Sequence, residues 1–307
     1  MSLLVARSTR FTEHDPGPGH PERPERNAAA LRGLEGAGVP LEDVPLRPVT
    51  EAELLRVHAP SFVEQLEAMR GRAGQLDPDT HTSPASVEVA ALGAGATIDL
   101  FTRVAEGQGR AGFSLVRPPG HHSTPTQAMG FCLYGNLAVA AKHLLETQVV
   151  ERIVIYDWDV HHGNGTQDMF WEDPRVLFMS THQAPFYPGT GSMKETGAGA
   201  GEGTTVNLPC PAGTTEAQIL GLNEDVLIPR ARDFAPDIIL ISAGFDAHLD
   251  DPLGSLGMST AGFGELASRW RDLAEEVCGG RIAALLEGGY DLNALESSVA
   301  ATAKAWG

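Results

Sequence analysis

Short apolar runs that do not alternate with polar residues constrain this chain most. Arg152–Tyr156, Val176–Ser180, Ile238–Ser242 and Ile282–Leu286 are each five residues long and mostly β-branched or aliphatic. A strand with one wet face alternates, whereas a strand that stays apolar is covered on both faces, as in a parallel sheet sandwiched by helices. Helical segments separate the runs: residues 25–36, an alanine-rich stretch up to Val104, Leu133–Glu146, Ser259–Val277 and Leu292–Trp306. Residues 2–6 and Phe113–Val116 read as two further strands. Thr50-x-x-Glu53 and Ser61-x-x-Glu64 are spaced as capping boxes opening short helices, and Pro84 suits the first position of the alanine-rich one. The Gly/Pro-rich segment 181–213 reads as a long functional loop. With no linker or break in composition, the expectation is one α/β domain over residues 1–307, its mostly parallel central β-sheet flanked by helices on both faces.

In such a sheet a ligand sits beyond the carboxyl ends of the strands. Polar clusters fall there five times: Arg117–His122, Asp157–Asn164, Ser180–His182, Ser242–His248 and Glu287–Tyr290. The period of two along a strand places Asp157, Asp159 and His161 on one face. That face is either a hydrogen-bonded polar strand end or a divalent-metal site. Asp159, His161 and Asp246 would supply two oxygens and one nitrogen, leaving the fourth position of a tetrahedral zinc open. His121-His122, framed by proline and glycine, could serve as general base and acid near neutral pH. Tyr290 is either a packing residue or a donor to a developing oxyanion. No GxGxxG, P-loop or GxSxG elbow is present.

The formal net charge of −18, from 22 basic against 40 acidic side chains, disfavours nucleic-acid binding, which needs a basic surface. Cys132, Cys210 and Cys278 are scattered without CxxC spacing, which fits a reducing compartment rather than a disulfide framework. No signal peptide and no run of about 18 apolar residues is seen. A cytoplasmic protein with no membrane partner is expected, and a homo-oligomer is left open.

Arg117-Pro-Pro-Gly-His-His122, Ala128-Met-Gly-Phe-Cys132, Asp157-x-Asp-x-His-His-Gly-Asn-Gly165, Ser242-Ala-Gly-Phe-Asp-Ala-His248 and Glu287-Gly-Gly-Tyr290 follow one another in this order. Together they resemble the zinc-dependent histone deacetylase family, in particular its class II and bacterial amidohydrolase branch. The resemblance implies the arginase/deacetylase fold and hydrolysis of an acylated amine, with one zinc on Asp159, His161 and Asp246. It implies His122 as general base and acid, His121 as its electrostatic neighbour, and Tyr290 as oxyanion donor. Asp157 would orient His121 and share a structural potassium ion with Ser180 and carbonyls of Asp159, His161 and Thr181. A second potassium would draw on carbonyls near Phe170, Asp173 and Val176. Gly130, Phe131, Tyr187, Leu253 and Gly288 would line a tunnel for an aliphatic chain, and Arg26 an inner cavity. Asn164, where class I members carry aspartate, would support a charged His122 less strongly. Leucine at position 253, where polyamine-selective relatives can carry an acid, favours acyl-lysine of proteins or peptides over acetylpolyamines and other small acylated amines. A dimanganese ureohydrolase and a non-catalytic acyl-lysine binder are the remaining alternatives.

Overall fold

The structure is a computed structural model and describes residues 2–307. The strands are β1 (Leu3–Ala6), β2 (Leu41–Asp43), β3 (Gly74–Asp77), β4 (Thr80–Thr82), β5 (Ala111–Ser114), β6 (Ile153–Asp157), β7 (Val176–Gln183), β8 (Thr205–Cys210), β9 (Ile238–Ala243) and β10 (Ile282–Leu286). Eight of them form one sheet in the order β2-β1-β5-β10-β9-β6-β7-β8, and β3 pairs only with β4. Every neighbour pair in the large sheet is parallel, so all carboxyl ends meet at one rim.

The helices are α1 (Glu25–Gly36), α2 (Glu51–Leu54), α3 (Pro60–Ala68), α4 (Ser86–Ala105), α5 (Asn136–Glu146), α6 (Asn164–Phe170), α7 (Glu216–Leu222), α8 (Ile228–Phe234), α9 (Thr260–Cys278) and α10 (Leu292–Trp306). Strand periodicity sorts the sheet's side chains into two cores. Ile153, Ile155, Leu240 and Leu285 pack with residues of α4 and α5 on one face. Val154, Tyr156, Ile239 and Ile241 pack with residues of α1, α9 and α10 on the other. Burial on both faces is what the unbroken apolar runs require, and the expected α/β architecture is the one observed.

Several boundaries differ from expectation for local reasons. The Thr50–Glu53 capping box forms, but α3 is preceded by Ala59 and opens on Pro60, with no side-chain cap from Ser61. Proline serves there because a first-turn N–H lacks an intrahelical partner anyway. α4 starts at Ser86 rather than Pro84, because Ser86 Oγ accepts the Ser83 N–H at 2.7 Å and so closes a turn. β5 lies earlier than Phe113–Val116, since Ala111 and Gly112 are the residues in register with Ile282 and Ala283. α5 starts at Asn136, not Leu133; Leu133 O instead accepts the Ser123 hydroxyl at 2.8 Å. Segment 181–213 is not one loop. β7 continues through Gln183, and Thr205–Cys210 forms an edge strand, where Pro209 and Asn207 are tolerated.

Candidate metal centre and active site

β6 ends at Asp157, and the next residues leave the strand by capping themselves. Asp157 Oδ1 accepts the Asp159 N–H at 3.1 Å, and Asp159 Oδ1 accepts the His161 N–H at 2.8 Å. This bend breaks the period of two, so Asp157 is not equivalent to Asp159 and His161. Its second oxygen instead lies 2.9 Å from His121 Nδ1. Asp246, in the turn after β9, reaches the same place from the neighbouring strand, its Oδ1 accepting the Val160 N–H at 2.8 Å.

Asp159, His161 and Asp246 thus converge, with candidate ligand atoms all within 4.8 Å of one another. His161 Nδ1 stands 3.1 Å from Asp159 Oδ1 and 3.3 Å from Asp246 Oδ2. Asp246 Oδ2 is buried yet accepts no hydrogen bond. Orphaned buried carboxylate oxygens are costly, and a cation is what such an atom lacks. The cradle depends on glycine: a Cβ at Gly244 would collide with the Asp159 carboxylate, and one at Gly288 with Asp246 and Asp159. The Gly288 N–H instead donates to Asp159 Oδ2 at 2.8 Å. Two hard oxygens and one imidazole nitrogen suit a zinc-type ion.

The charges are strongly coupled. Burial pushes Asp246 up, and the neighbouring Asp159 charge adds to this, to about 7. Burial also pushes Asp159 up, but His121 and the bonds from His161 outweigh it and hold this carboxyl far below its ordinary value. Burial lowers His161, yet its hydrogen bond to Asp159 and the charge of the adjacent Asp246 carboxylate carry it to about 10. A group of two acids and a base that share protons in this way is primed to exchange them for a metal.

The histidine pair differs internally. The two rings are 4.0 Å apart. His121, though desolvated, is raised well above the usual imidazole value by Asp159 and Asp157. His122 is lowered well below it by burial and then by positive charge on His121 and His161. His122 Nδ1 lies 2.8 Å from Asn164 Oδ1, an acceptor, so it carries the proton and leaves Nε2 with a lone pair. Glu287 holds the loop from behind, its Oε2 accepting the N–H of Gly120 at 2.6 Å and of His121 at 3.1 Å. Sequence reading quoted Glu287 within a motif without giving it this task. Its signal was an acid directly after a buried apolar strand.

Tyr290 is buried, and its hydroxyl is pushed well above the usual phenol value by burial and by Asp246. Its N–H donates to Asp251 Oδ2 at 2.6 Å, and the Arg26 guanidinium lies 5.0 Å from its ring centre. Arg26 donates to the carbonyls of Gly289 (2.6 Å) and Glu287 (2.5 Å). Its charge is balanced by Glu22, which is also clamped by Arg117.

Around the mouth, Phe131 meets Tyr290 edge-on at 5.9 Å and Tyr187 meets His122 edge-on at 5.1 Å. Gly130 lies against the His122 ring, where a Cβ would collide. Leu253 is half-buried and tied by its N–H to Asp251 Oδ1 at 2.9 Å. A cavity of about 440 Å³ beside Tyr290 is lined by Pro252 and the His20–Glu25 loop. Ser180 is in register with Asp157 across the β6–β7 ladder. Thr181 is occupied through its hydroxyl, 2.9 Å from that of Tyr156. Phe170, Asp173 and Val176 follow α6 in linked turns: Phe170 O accepts from Asp173 N (3.0 Å) and Asp173 O from Val176 N (3.2 Å).

Residues 20–306 match the model of the histone deacetylase domain. The chain is 42% identical over 308 residues to "Histone deacetylase 10, chloroplastic" of Oryza sativa subsp. japonica, covering 94% of this chain and 69% of the relative. It is 41% identical over 286 residues to a "Probable deacetylase" of Archaeoglobus fulgidus, covering 92% and 79%. The crystal structure of the HDA15 HD domain superposes with a TM-score of 0.92 at 37% identity, over 98% of this chain and 88% of that one. The chain therefore belongs to the histone deacetylase family of hydrolases.

Proposed function

We propose that this protein is a zinc-dependent amidohydrolase that removes acyl groups, acetyl foremost, from the Nε-amine of lysine. The observation that carries the reading is the juxtaposition at one rim of an orphaned acid–imidazole cluster, an unequally charged histidine pair and a buried tyrosine. Asp159, His161 and Asp246 would hold the zinc. When bound, zinc supplies Lewis acidity that polarises an amide carbonyl and acidifies water.

The remaining work falls to the chain's own side chains. His122, kept neutral by burial and by its charged neighbours, presents Nε2 to take a proton from the attacking water and then to return it to the departing amine. His121, held as imidazolium by Asp157 and Asp159, adds positive potential without exchanging its own proton. The Tyr290 hydroxyl stays protonated and donates to the oxygen on which negative charge develops. Phe131 and Tyr187 present ring surface to an aliphatic chain, and Gly130 packs directly against the His122 ring beside them. Asp157 with Ser180, and the turn carbonyls of Phe170, Asp173 and Val176, would take potassium ions as structural cations.

A kinetic screen of acetyl-lysine peptides against acetylpolyamines and small N-acetyl amines tests the substrate. The expected result is kcat/KM at least about tenfold higher for acyl-lysine, the discrimination that one or two added apolar or polar contacts provide. Faster turnover of polyamines would move the assignment to a cationic metabolite.

A further inference from the structure

We propose that Thr80, on the β3–β4 hairpin outside the main sheet, is a positioning residue that fixes the Gly130–Phe131 wall and through it the imidazole of His122. This rests on the acyl-lysine hydrolase reading given above. Phe131 has φ 69°, in the left-handed region that a bulky L residue keeps only when its surroundings hold it there.

The hairpin supplies the hold. The Phe131 N–H donates to Thr80 Oγ1 at 3.1 Å, and the preceding Gly130 N–H to Asp79 Oδ1 at 3.1 Å. The Thr80 hydroxyl donates to Asp79 Oδ1 at 2.9 Å, and the Asp79 N–H donates to Asp77 Oδ1 at 2.9 Å, which closes the clasp. His20 fastens it to the loop before α1: its Nε2 lies 3.1 Å from Asp79 O, and its ring meets Phe131 edge-on at 4.6 Å. Gly130 is pressed against His122 with no room for a Cβ, so displacement of this backbone is felt by the imidazole. Thr80 itself is 0% exposed and cannot touch a substrate in the tunnel. Its influence passes through Phe131 and Gly130, and this separates it from residues that contact the ligand. The hairpin thereby acquires a task that its exclusion from the sheet leaves open.

Thr80→Val keeps the shape and removes the hydroxyl, while Thr80→Ser restores the hydroxyl without the methyl. Two readouts are needed. Amide hydrogen exchange on the zinc-free protein reports the clasp itself, and kcat and KM for an acetyl-lysine peptide report its consequence. Thr80→Val is expected to speed exchange in segment 129–132 by about tenfold and to lower kcat/KM by about tenfold, the size of one buried hydrogen bond. In the latter, kcat falls because the His122 imidazole is displaced and KM rises because the Phe131 wall loosens. Zinc content should stay at the wild-type level, and Thr80→Ser should remain within about twofold on both readouts. Thr80→Ala takes the place of the valine variant if that one does not fold. Unchanged exchange in Thr80→Val, or Thr80→Ser as impaired as Thr80→Val, overturns the proposal. Wild-type protein inert toward acyl-lysine would overturn the function reading instead, and exchange would then decide the clasp alone.

Discussion

Glu22→Gln preserves the shape of a fully buried side chain and removes its charge. In the wild type the carboxylate accepts from Arg117 Nε at 2.6 Å, Arg117 Nη2 at 2.8 Å and Arg26 Nη1 at 2.8 Å, with His14 Nε2 at 3.1 Å. Glu22, Arg26 and Arg117 are each 0% exposed, and His14 is 1% exposed. Burial pushes the Glu22 carboxyl up, but Arg117, His14 and Arg26 together hold it far below the usual carboxylate range. Neutralising it strands two guanidinium charges in the interior, a loss of about 3–5 kcal/mol for breaking a buried pair. For a chain of this size that corresponds to roughly 5–10 °C in Tm. Arg26 also holds the carbonyls of Glu287 and Gly289, so the variant should loosen Gly288 and Tyr290 and bind zinc more weakly. Because the folded value lies below the unfolded one, this stabilisation is complete above the unfolded pKa of about 4.3 and drains away as pH falls. Urea denaturation from pH 3 to 8 is the assay. The wild-type advantage should be widest near neutrality and shrink on acidification. A difference below about 1 kcal/mol at pH 7, or one independent of pH, would refute the reasoning.

Other outcomes follow from the same geometry. Tyr290→Phe should keep full zinc occupancy and lose roughly 10²–10³ in kcat, as other oxyanion donors do; undiminished turnover removes Tyr290 from the mechanism. Zinc binding should release protons, because in the metal-free cluster His161 (about 10) holds its proton throughout the neutral range and Asp246 (about 7) holds one in about half of the molecules at pH 7. Affinity should therefore climb as pH rises from 6 to 8, by about tenfold per unit for each proton displaced. Zinc titration calorimetry in two buffers of different ionisation enthalpy would expose a flat dependence, which is incompatible with the shared-proton cluster.

The central strands were legible because burial on both faces leaves an unmistakable apolar run, as in Ile238–Ser242. β8 was not, since an edge strand is free to carry Asn207 and Pro209 and so reads as loop. The β3–β4 hairpin was missed for a related reason: it buries little apolar surface, and its residues act through hydrogen bonds to a segment 51 positions away. Candidate metal ligands stood out because carboxylates and imidazoles directly after buried strands have few other uses. Periodicity nonetheless mistook Asp157 for their equal, since the strand ends at that residue and a self-capped bend follows. The Glu22–Arg26–Arg117 core was invisible as an interaction. Charged residues in a Pro/Gly-rich loop look solvated until the fold brings a partner from 95 residues away.

Zinc titrated into metal-free protein, with acetyl-lysine hydrolysis followed at each addition, tests the central claim most directly. Activity should rise in proportion to bound zinc and saturate at one ion per chain, with Asp246→Ala failing to bind or to turn over. A requirement for two ions per chain, or full zinc occupancy with no hydrolysis of any acylated amine, would contradict it.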